Sequence, residues 1–143
     1  MTEASEKAFR ECDIAILAAA VADFTPETIA DTKIKRGSGE MVLRLKPTED
    51  IAALLGSRKK PHQLLVGFAL ETDNEVNNAL GKLKKKNLDL IVLNSLSDEG
   101  AGFGHETNRI TLIDRNNNID KFELKTKGEV ASDILHKIIS LLD

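Results

Sequence analysis

The chain has 143 residues, of which 41% are apolar and 30% charged, a balance typical of one soluble globular domain. Its 20 Lys and Arg against 23 Asp and Glu give a net charge of -3, which argues against nucleic acid or an anionic membrane as the main partner. The absence of Trp and Tyr excludes aromatic stacking platforms for single strands. The composition therefore predicts a domain that handles a small ligand.

Targeting and redox features indicate a cytoplasmic location. The longest apolar runs have about ten residues, too short to cross a bilayer. Residues 1–6 lack the basic and apolar blocks of a signal peptide. The single cysteine, Cys12, cannot form an internal disulfide.

The first third of the chain predicts one helix and two strands. Helical spacing of apolar residues favours a short helix over 2–12. Residues 13–23 are continuously apolar and end on Asp23, a pattern typical of a parallel strand buried on both faces. Residues 24–39 indicate a loop, and the alternation over 40–46 indicates a more exposed strand.

The middle of the chain predicts helices alternating with buried strands. Thr48 is expected to cap a second helix. Residues 64–70 and 88–94 predict buried strands, and capping-box spacing from Thr72 to Glu75 opens a third helix between them. The inner faces of these two helices are expected to carry Ile51, Leu54, Leu55, Val76, Ala79, Leu80 and Leu83.

The last third predicts a hairpin and a helix. Alternating strands at 109–114 and 119–124 are joined by a turn at 115–118. A second capping box, from Thr126 to Glu129, begins the last helix. Its inward-facing residues are expected to be Val130, Ile134, Leu135, Ile138 and Leu142.

This element order predicts an α/β fold: a Rossmann-like, mainly parallel sheet flanked by helices, with an antiparallel extension. Ligands in such sheets bind beyond the carboxyl ends of the strands. Those ends fall at 19–23, 68–71 and 94–97, segments rich in small or polar residues. A nucleotide-sized site is expected there.

Two early segments offer chemistry at this edge. The Asp23 carboxylate suits a ribose hydroxyl or a metal bound to phosphates, although a turn residue at a strand end is the equal alternative. The basic segment 33–36, followed by Gly37 and Gly39, suits a phosphate that is bound and released. A solvated charge run is its alternative.

Three later features also have a structural alternative. Lys82 and Lys86 are four residues apart and share a helix face, so they could bind one anion together, but taken alone their position favours a structural cluster of cations at a helix C-terminus. The glycine-rich segment 100–104 precedes a strand, whereas a dinucleotide loop must follow one, so it is interpreted as a flexible connection. The three histidines lack the spacing of a zinc site.

Several segments together resemble a known family. They are AAAVADF at 18–24, KIKR at 33–36, VGFALET at 66–72, KNLDLIVLN at 86–94, and GFG at 102–104 with ITLI at 110–113. In order and spacing they resemble the bacterial phosphopantothenoylcysteine synthetase. That enzyme is usually the C-terminal half of a bifunctional coenzyme A biosynthesis protein, fused to a flavin-dependent decarboxylase. Residues 1–143 are accordingly interpreted as the C-terminal portion of the synthetase domain, with its nucleotide-binding and dimerisation parts.

The resemblance implies a ligase. The family joins 4'-phosphopantothenate to cysteine with magnesium and CTP in most bacteria, or ATP in eukaryotes. The substrate carboxylate attacks the α-phosphate to give an acyl-cytidylate, and the cysteine amine then displaces CMP. Lys33 corresponds to the catalytic lysine, which neutralises charge in the transition state.

The resemblance also implies a nucleotide site at a homodimer interface. The backbone of Leu17, Ala18 and Ala19 would face the base, and Asp23 would contact ribose or metal-bound phosphates. Residues 41–45 and the late hairpin would form the dimerisation extension. The remaining pocket residues would be Glu49, Asp50, Ile51, Ala52, Phe68, Lys82 and Lys86.

One departure from the family limits this expectation. The family's synthetase domain opens with a Gly-Gly-Thr phosphate loop and later carries an Asn-containing segment with a Ser-Ser-Gly-Lys-Met-Gly-like motif, and neither is in this chain. We therefore expect cytidine binding and dimerisation without complete catalysis, and no flavin in this portion. A non-catalytic dimerisation module is the alternative. A signalling receiver fits poorly, because Asp13 precedes its strand and Asp89 lies inside another.

Overall fold

The computed structural model describes residues 1–37, 39–95 and 104–142. The chain divides into a larger unit, Met1–Ala18 with Ile51–Asp143, and a smaller unit, Ala19–Asp50. The elements in chain order are α1 (Thr2–Phe9), β1 (Ile14–Leu17), β2 (Phe24–Pro26), β3 (Leu45–Pro47), α2 (Ile51–Arg58), β4 (Leu64–Glu71), α3 (Glu75–Lys85), β5 (Leu90–Ser95), β6 (Thr107–Asn108), β7 (Ile110–Asp114), β8 (Ile119–Lys121), β9 (Lys125–Thr126) and α4 (Lys127–Ser140).

A five-stranded sheet in the order β1-β4-β5-β7-β8 is the centre of the larger unit. Strands β1, β4 and β5 are parallel, and β7 and β8 continue the sheet antiparallel. The predicted α/β fold, a mainly parallel sheet with helices and an antiparallel extension, is confirmed.

Side-chain alternation divides the core between the two faces of this sheet. On one face, Leu65 and Ala69 of β4 belong to a cluster with residues of α1, α2 and α3. On the other face, Leu64 and Val66 belong to a cluster with Val130, Ile134 and Ile138 of α4. Two consecutive residues of one strand therefore serve two different cores.

The ends of α2 and α3 meet at the start of β5. Asn87 follows α3 with a φ of 50°, and Leu88 N–H donates to the Leu83 carbonyl across it (2.9 Å), which is a Schellman-type helix end. The Asn87 side chain donates to the Gly56 carbonyl (2.8 Å). Lys59 donates both to the Asn87 carbonyl (2.8 Å) and to Asp89 Oδ2 (2.7 Å). This junction fixes both helices at the amino edge of the sheet.

The hairpin turn is closed by the buried Asp114 carboxylate. Its Oδ1 accepts from the backbone N–H groups of Asn116 (2.9 Å) and Asn118 (3.0 Å). Its Oδ2 accepts from Asn118 Nδ2 (2.9 Å) and lies 3.2 Å from Lys137 Nζ on α4. Burial alone would raise the pKa of Asp114, but these hydrogen bonds outweigh it and the pKa lies below its ordinary value.

The smaller unit contains an antiparallel ribbon of β2 and β3, in which Thr25 pairs with Lys46. Glu27 N–H extends the ribbon with a bond to the Arg44 carbonyl (2.9 Å). Thr48 closes its other end, since its hydroxyl donates to the Ala22 carbonyl (2.6 Å) and its N–H to the Asp23 carbonyl (2.9 Å).

Two strand predictions are corrected in this region. The strand predicted over 13–23 is limited to Ile14–Leu17, because alanine side chains bury little apolar area and residues from Ala19 onward belong to the smaller unit. The strand predicted over 40–46 is Leu45–Pro47, and its partner β2 lies where a loop was predicted.

One of the three predicted helix caps is confirmed. The second capping box is confirmed, with Thr126 and Glu129 bonded to each other's backbone N–H. The first is wrong: α3 begins at Glu75 after Asn74, whose left-handed conformation differs from the extended backbone of a capping box. Thr48 is not a cap either, because its hydroxyl binds Ala22 and α2 begins at Ile51.

The inner face of α3 is as predicted, and in α2 Ile51 and Leu55 are buried in the core while Leu54 is only half-buried. The last helix, α4, buries a narrower stripe than predicted. Val130, Ile134 and Ile138 are buried, whereas Leu135 and Leu142 are exposed. A helix that contacts one sheet face buries positions four apart, and the next residue along already points about 100° away.

In the described part of the chain, no helix is long and apolar enough to span a membrane.

Gly56 marks the closest approach of α2 to the end of α3. A Cβ at this position would collide with the backbone carbonyl of Lys86, which cannot move without disrupting the Asn87 helix end. We expect Gly56→Ala to lower the free energy of unfolding by about 1–3 kcal/mol, measured by urea denaturation. The matched control is Gly81→Ala in α3, where a Cβ meets open space. That control should be neutral or stabilising by up to about 1 kcal/mol, and equal losses in both variants would contradict this account.

The Asp114 network predicts a specific acid sensitivity. A carboxyl with a lowered pKa stabilises the fold fully above its ordinary value of 3.8, and this stabilisation is lost as the pH falls below it. Asp114→Asn should cost about 1–3 kcal/mol at neutral pH, because Lys137 loses a charged partner. Thermal unfolding between pH 7 and 2.5 should then fall less steeply in the variant than in the parent. Parallel profiles would refute the assignment.

Candidate functional site

The carboxyl edge of the parallel strands contains exposed apolar side chains on the face that α4 covers elsewhere. Phe68 is 37% exposed and Leu70 is 39% exposed, although Leu64 and Val66 on the same face of β4 are buried. Ile16 of β1, the partner of Val66 in the register, is exposed as well. The three side chains form an apolar shelf, defined here as Ile16, Phe68 and Leu70, and such a surface suits the flat face of a base.

The opposite face of the same edge is polar. The Glu71 side chain, at the end of β4, is 12% exposed, and its Oε1 lies 2.6 Å from Lys82 Nζ on α3. Its Oε2 accepts from Asn78 Nδ2 (3.3 Å), which also donates to the Asp73 carbonyl (3.0 Å). Asn78 and Lys82 are one helical turn apart, so α3 places a hydrogen-bond donor at one carboxylate oxygen and a cation beside the other.

Lys82 and Lys86 occupy successive turns of the same helix region, as the sequence predicts, since Lys86 N–H donates to the Lys82 carbonyl (3.0 Å). Their surroundings differ. Lys82 reaches the carboxyl end of β4 through Glu71, whereas Lys86 is the last-turn cap of α3 and its carbonyl faces Gly56.

The start of α2 is the other feature of this edge. Because α2 leads into β4, its first residue lies toward the carboxyl ends of the strands and its last toward the amino ends. Ile51 is buried and Ala52 half-buried, so the first turn is anchored on the core. The first N–H groups of a helix and its dipole favour an anion.

β1 brings two further predicted residues to the same edge. Leu17 pairs with Gly67 at the end of β1, and the Leu17 side chain packs on the core. At this edge Leu17 can therefore contact a ligand with its backbone groups. Ala18 follows it and is exposed.

The remaining predicted site residues belong to the smaller unit and are all exposed. Asp23 directly precedes β2, and its carbonyl accepts from Thr48. Lys33 lies in the segment of the chain that connects β2 to β3. The others are Ala19, Glu49 and Asp50.

Ile16, Leu70 and Glu71 also belong to this edge. The sequence placed 68–71 there but singled out neither Leu70 nor Glu71 as a site residue, and it did not place Ile16 at the edge. The sequence feature that could have identified Glu71 is its place on β4: it follows Leu65 and Ala69 on the same face of the strand, and both of these are core residues. Such a position favours a carboxylate only when partners neutralise it.

The cavity beside Leu93 and the clusters of titratable side chains do not provide a further candidate site in the described residues. A cavity of about 230 Å³ beside Leu93 and Phe122 is smaller than the usual ligand pocket of 300 Å³ or more. Among residues 1–37, 39–95 and 104–142, no group of three or more His, Cys, Asp or Glu side chains is placed to hold a metal. The glycine-rich segment predicted as a connection lies outside the described residues except for Gly104, and so do residues 96–97 of the predicted third strand end.

Comparison with known proteins gives one family. Residues 1–142 match the model of the DNA/pantothenate metabolism flavoprotein C-terminal domain. The chain belongs to this family. The coenzyme A biosynthesis bifunctional protein CoaBC of Bacillus subtilis (strain 168) is 45% identical over 141 residues, which are 99% of this chain and 34% of that protein. The resemblance found in the sequence is therefore confirmed.

Two further similarities agree with this family. A cysteine/cysteine sulfinic acid decarboxylase from an unknown prokaryotic organism is 77% identical over 99% of this chain and 40% of its own length. The crystal structure of the C-terminal domain of CoaBC superposes with a TM-score of 0.78 at 33% identity, over 99% of this chain and 60% of that one. The chain thus spans between a third and two fifths of these two curated relatives.

Proposed function

We propose that this chain supplies the cytidine-nucleotide site of a CTP-dependent phosphopantothenate–cysteine ligase of coenzyme A biosynthesis. The observation that supports this most strongly is the set of side chains at the carboxyl edge of this chain, which belongs to the family. A cation held by Glu71, the start of α2 and the exposed ring of Phe68 all lie where parallel sheets bind nucleotides. A cytoplasmic location follows as part of the same proposal.

The proposed reaction assigns a role to each group of residues. The carboxylate of 4'-phosphopantothenate attacks the α-phosphate of CTP and releases pyrophosphate, and the amine of cysteine then displaces CMP from the acyl-cytidylate. Lys33 neutralises the charge that builds on the phosphoryl group. Lys82 and the first turn of α2 (Ile51, Ala52) bind phosphate, while Phe68 and the backbone of Leu17–Ala19 contact the base. Lys86 belongs to this group only through its long side chain, because its backbone lies in the amino-edge junction of α2 and α3.

In this proposal Asp23 binds ribose or magnesium. Glu49 and Asp50, the last two residues of the smaller unit, line the nucleotide pocket. Mg²⁺ bound to a triphosphate takes most of its oxygen ligands from phosphate and water, so a single exposed carboxylate fits that chemistry. The ion neutralises charge on the triphosphate. No flavin is proposed for this chain.

The scope of the proposal follows from the coverage of the relatives. The chain matches a part of each longer protein, so the nucleotide site and the association with a second copy are assigned to it. Complete ligation is proposed to need the remaining parts of the longer proteins. The relative that is named as a decarboxylase is matched over 40% of its length, and no decarboxylase activity is proposed here.

A homodimer is proposed through the smaller unit. This unit of 32 residues (19–50) exposes a group of large apolar side chains, which water disfavours and a partner surface would cover. Val42 is 83% exposed and Met41 is 65% exposed. The others are Val21, Phe24, Ile29, Ile34, Leu43 and Leu45. This observation also favours the alternative function, a dimerisation module that binds no nucleotide.

Nucleotide binding separates the two functions. Calorimetric titration with CTP and Mg²⁺ should show saturable binding that is tighter than binding of ATP. Lys33→Ala should weaken CTP binding roughly tenfold, the effect of one lost charge-assisted contact of about 1.4 kcal/mol. Lys35→Ala is the matched control, because it removes the same charge from the same exposed segment.

Two results would count against this assignment. Equal losses for Lys33→Ala and Lys35→Ala would leave only a general charge effect. Absence of CTP binding by the folded chain would favour the dimerisation module.

Association can be tested by introducing a charge into the exposed apolar group. Val42→Glu should raise the dissociation constant of the dimer at least roughly tenfold, because a carboxylate would be desolvated at the interface. Sedimentation velocity over a range of concentrations measures this. Leu135→Glu on the exposed face of α4 is the control and should leave association unchanged. Dissociation by Leu135→Glu alone would place the interface on α4 instead.

A further inference from the structure

Glu71 is a carboxylate at the carboxyl edge with little exposure to water: Asn78 of α3 donates to one of its oxygens, and Lys82 of α3 forms an ion pair with the other. Its position on β4 points to the face where Leu65 and Ala69 form the core with α2 and α3. A leucine there would bury without the desolvation that a carboxylate costs. The charge at this position therefore calls for a role other than packing.

Lys82 provides that role. A lysine ammonium sits on a flexible four-carbon stem, so it samples many positions unless a partner holds it. Glu71 Oε1 lies 2.6 Å from Lys82 Nζ, while the lysine side chain remains 45% exposed. An ammonium has three donors, so a lysine bound to one carboxylate oxygen keeps donors for a ligand on its solvent side.

Asn78 binds the second oxygen of the Glu71 carboxylate. Its Nδ2 bonds Glu71 Oε2 (3.3 Å) and the Asp73 carbonyl (3.0 Å), and thereby ties the carboxylate to the segment between β4 and α3. Asn78 N–H also donates to the Asn74 carbonyl within this first turn (3.0 Å). The carboxylate is thus held from both sides, and Lys82 is held by it.

We infer that Glu71 is a positioning residue, which orients the Lys82 ammonium toward a phosphate group of the nucleotide. The inference rests on the proposed function and deepens it. Glu71 does not touch the ligand; its negative charge would repel a phosphate if it acted directly. Positioning and repulsion therefore predict opposite changes in affinity when the charge is removed.

The test is a double-mutant cycle on the 143-residue chain, with CTP–Mg²⁺ and inorganic tripolyphosphate as probes. Glu71→Gln keeps the volume and an acceptor for Asn78 but gives Lys82 a neutral, weaker partner. Calorimetry should show that it weakens binding of both probes by roughly three- to tenfold. In the Lys82→Met background the same change should alter affinity by less than about twofold, because there is no ammonium left to orient.

Lys85→Met is the control for charge, since it removes an exposed cation from the same helix. In that background Glu71→Gln should retain its full effect. Unchanged or tighter binding by Glu71→Gln overturns the inference, because Glu71 then acts by repulsion or not at all. Equal losses in the parent and Lys82→Met backgrounds also overturn it, since they make Glu71 a structural residue.

The same data separate this inference from the proposed function. If the parent binds CTP but the cycle shows no coupling, only the positioning role fails. If the parent binds tripolyphosphate with coupling but does not prefer CTP, the nucleotide assignment fails and the positioning role stands. If the parent binds neither probe, both fail.

A second measurement needs no variant and remains available if Glu71→Gln does not fold. Acetylation by acetic anhydride, followed by peptide mass spectrometry, should be slower at Lys82 than at Lys85 in the parent. Addition of CTP–Mg²⁺ or tripolyphosphate should slow Lys82 further and leave Lys85 unchanged. Equal rates at both lysines, unaffected by either probe, would overturn the inference.

Discussion

The buried carboxylate of Asp89 is the interaction on which the arrangement of the larger unit depends. It is 1% exposed and accepts from the Leu65 N–H (2.8 Å), from Lys59 at the end of α2 (2.7 Å) and from Arg115 after the hairpin strand (3.2 Å). A buried ion is costly unless every partner is in place, so shifted registers of β4 and β5 are penalised. One side chain thereby joins a helix, two parallel strands and the antiparallel extension.

The register set there determines which chemistry appears at the other end of β4. Because strand side chains alternate, a register with Leu65 on the α2–α3 face also puts Glu71 on that face and Phe68 on the opposite one. A shift by one residue would direct the aromatic ring to α3 and leave Lys82 without its carboxylate. The apolar shelf and the cation are therefore consequences of one register choice.

Strong periodicity explains what the sequence predicted well. The long apolar run of β4 and the helical spacing of α3 are independent of distant contacts, so both were predicted correctly. The length of β1 depends on where the chain leaves β4 for the smaller unit, since β4 itself continues to Glu71. The start of α3 depends on the left-handed backbone of Asn74. A local pattern reveals neither. The Glu71–Lys82 pair was missed because it joins residues eleven positions apart across a strand and a helix. Only the paired fold brings them together.

The two edges of the sheet divide stability from binding. Among the described residues, the buried polar side chains are Gln63, Asp89 and Asp114, and all lie at the amino edge of the parallel strands with their hydrogen bonds made within the fold. The carboxyl edge has instead a half-exposed lysine and an exposed aromatic ring. This division follows from the parallel topology: α2 and α3 return to the amino edge, where their C-terminal ends need partners, and begin at the carboxyl edge, where the helix dipole favours an anion. Substitutions at the first edge should therefore act through unfolding, and those at the second through ligand affinity.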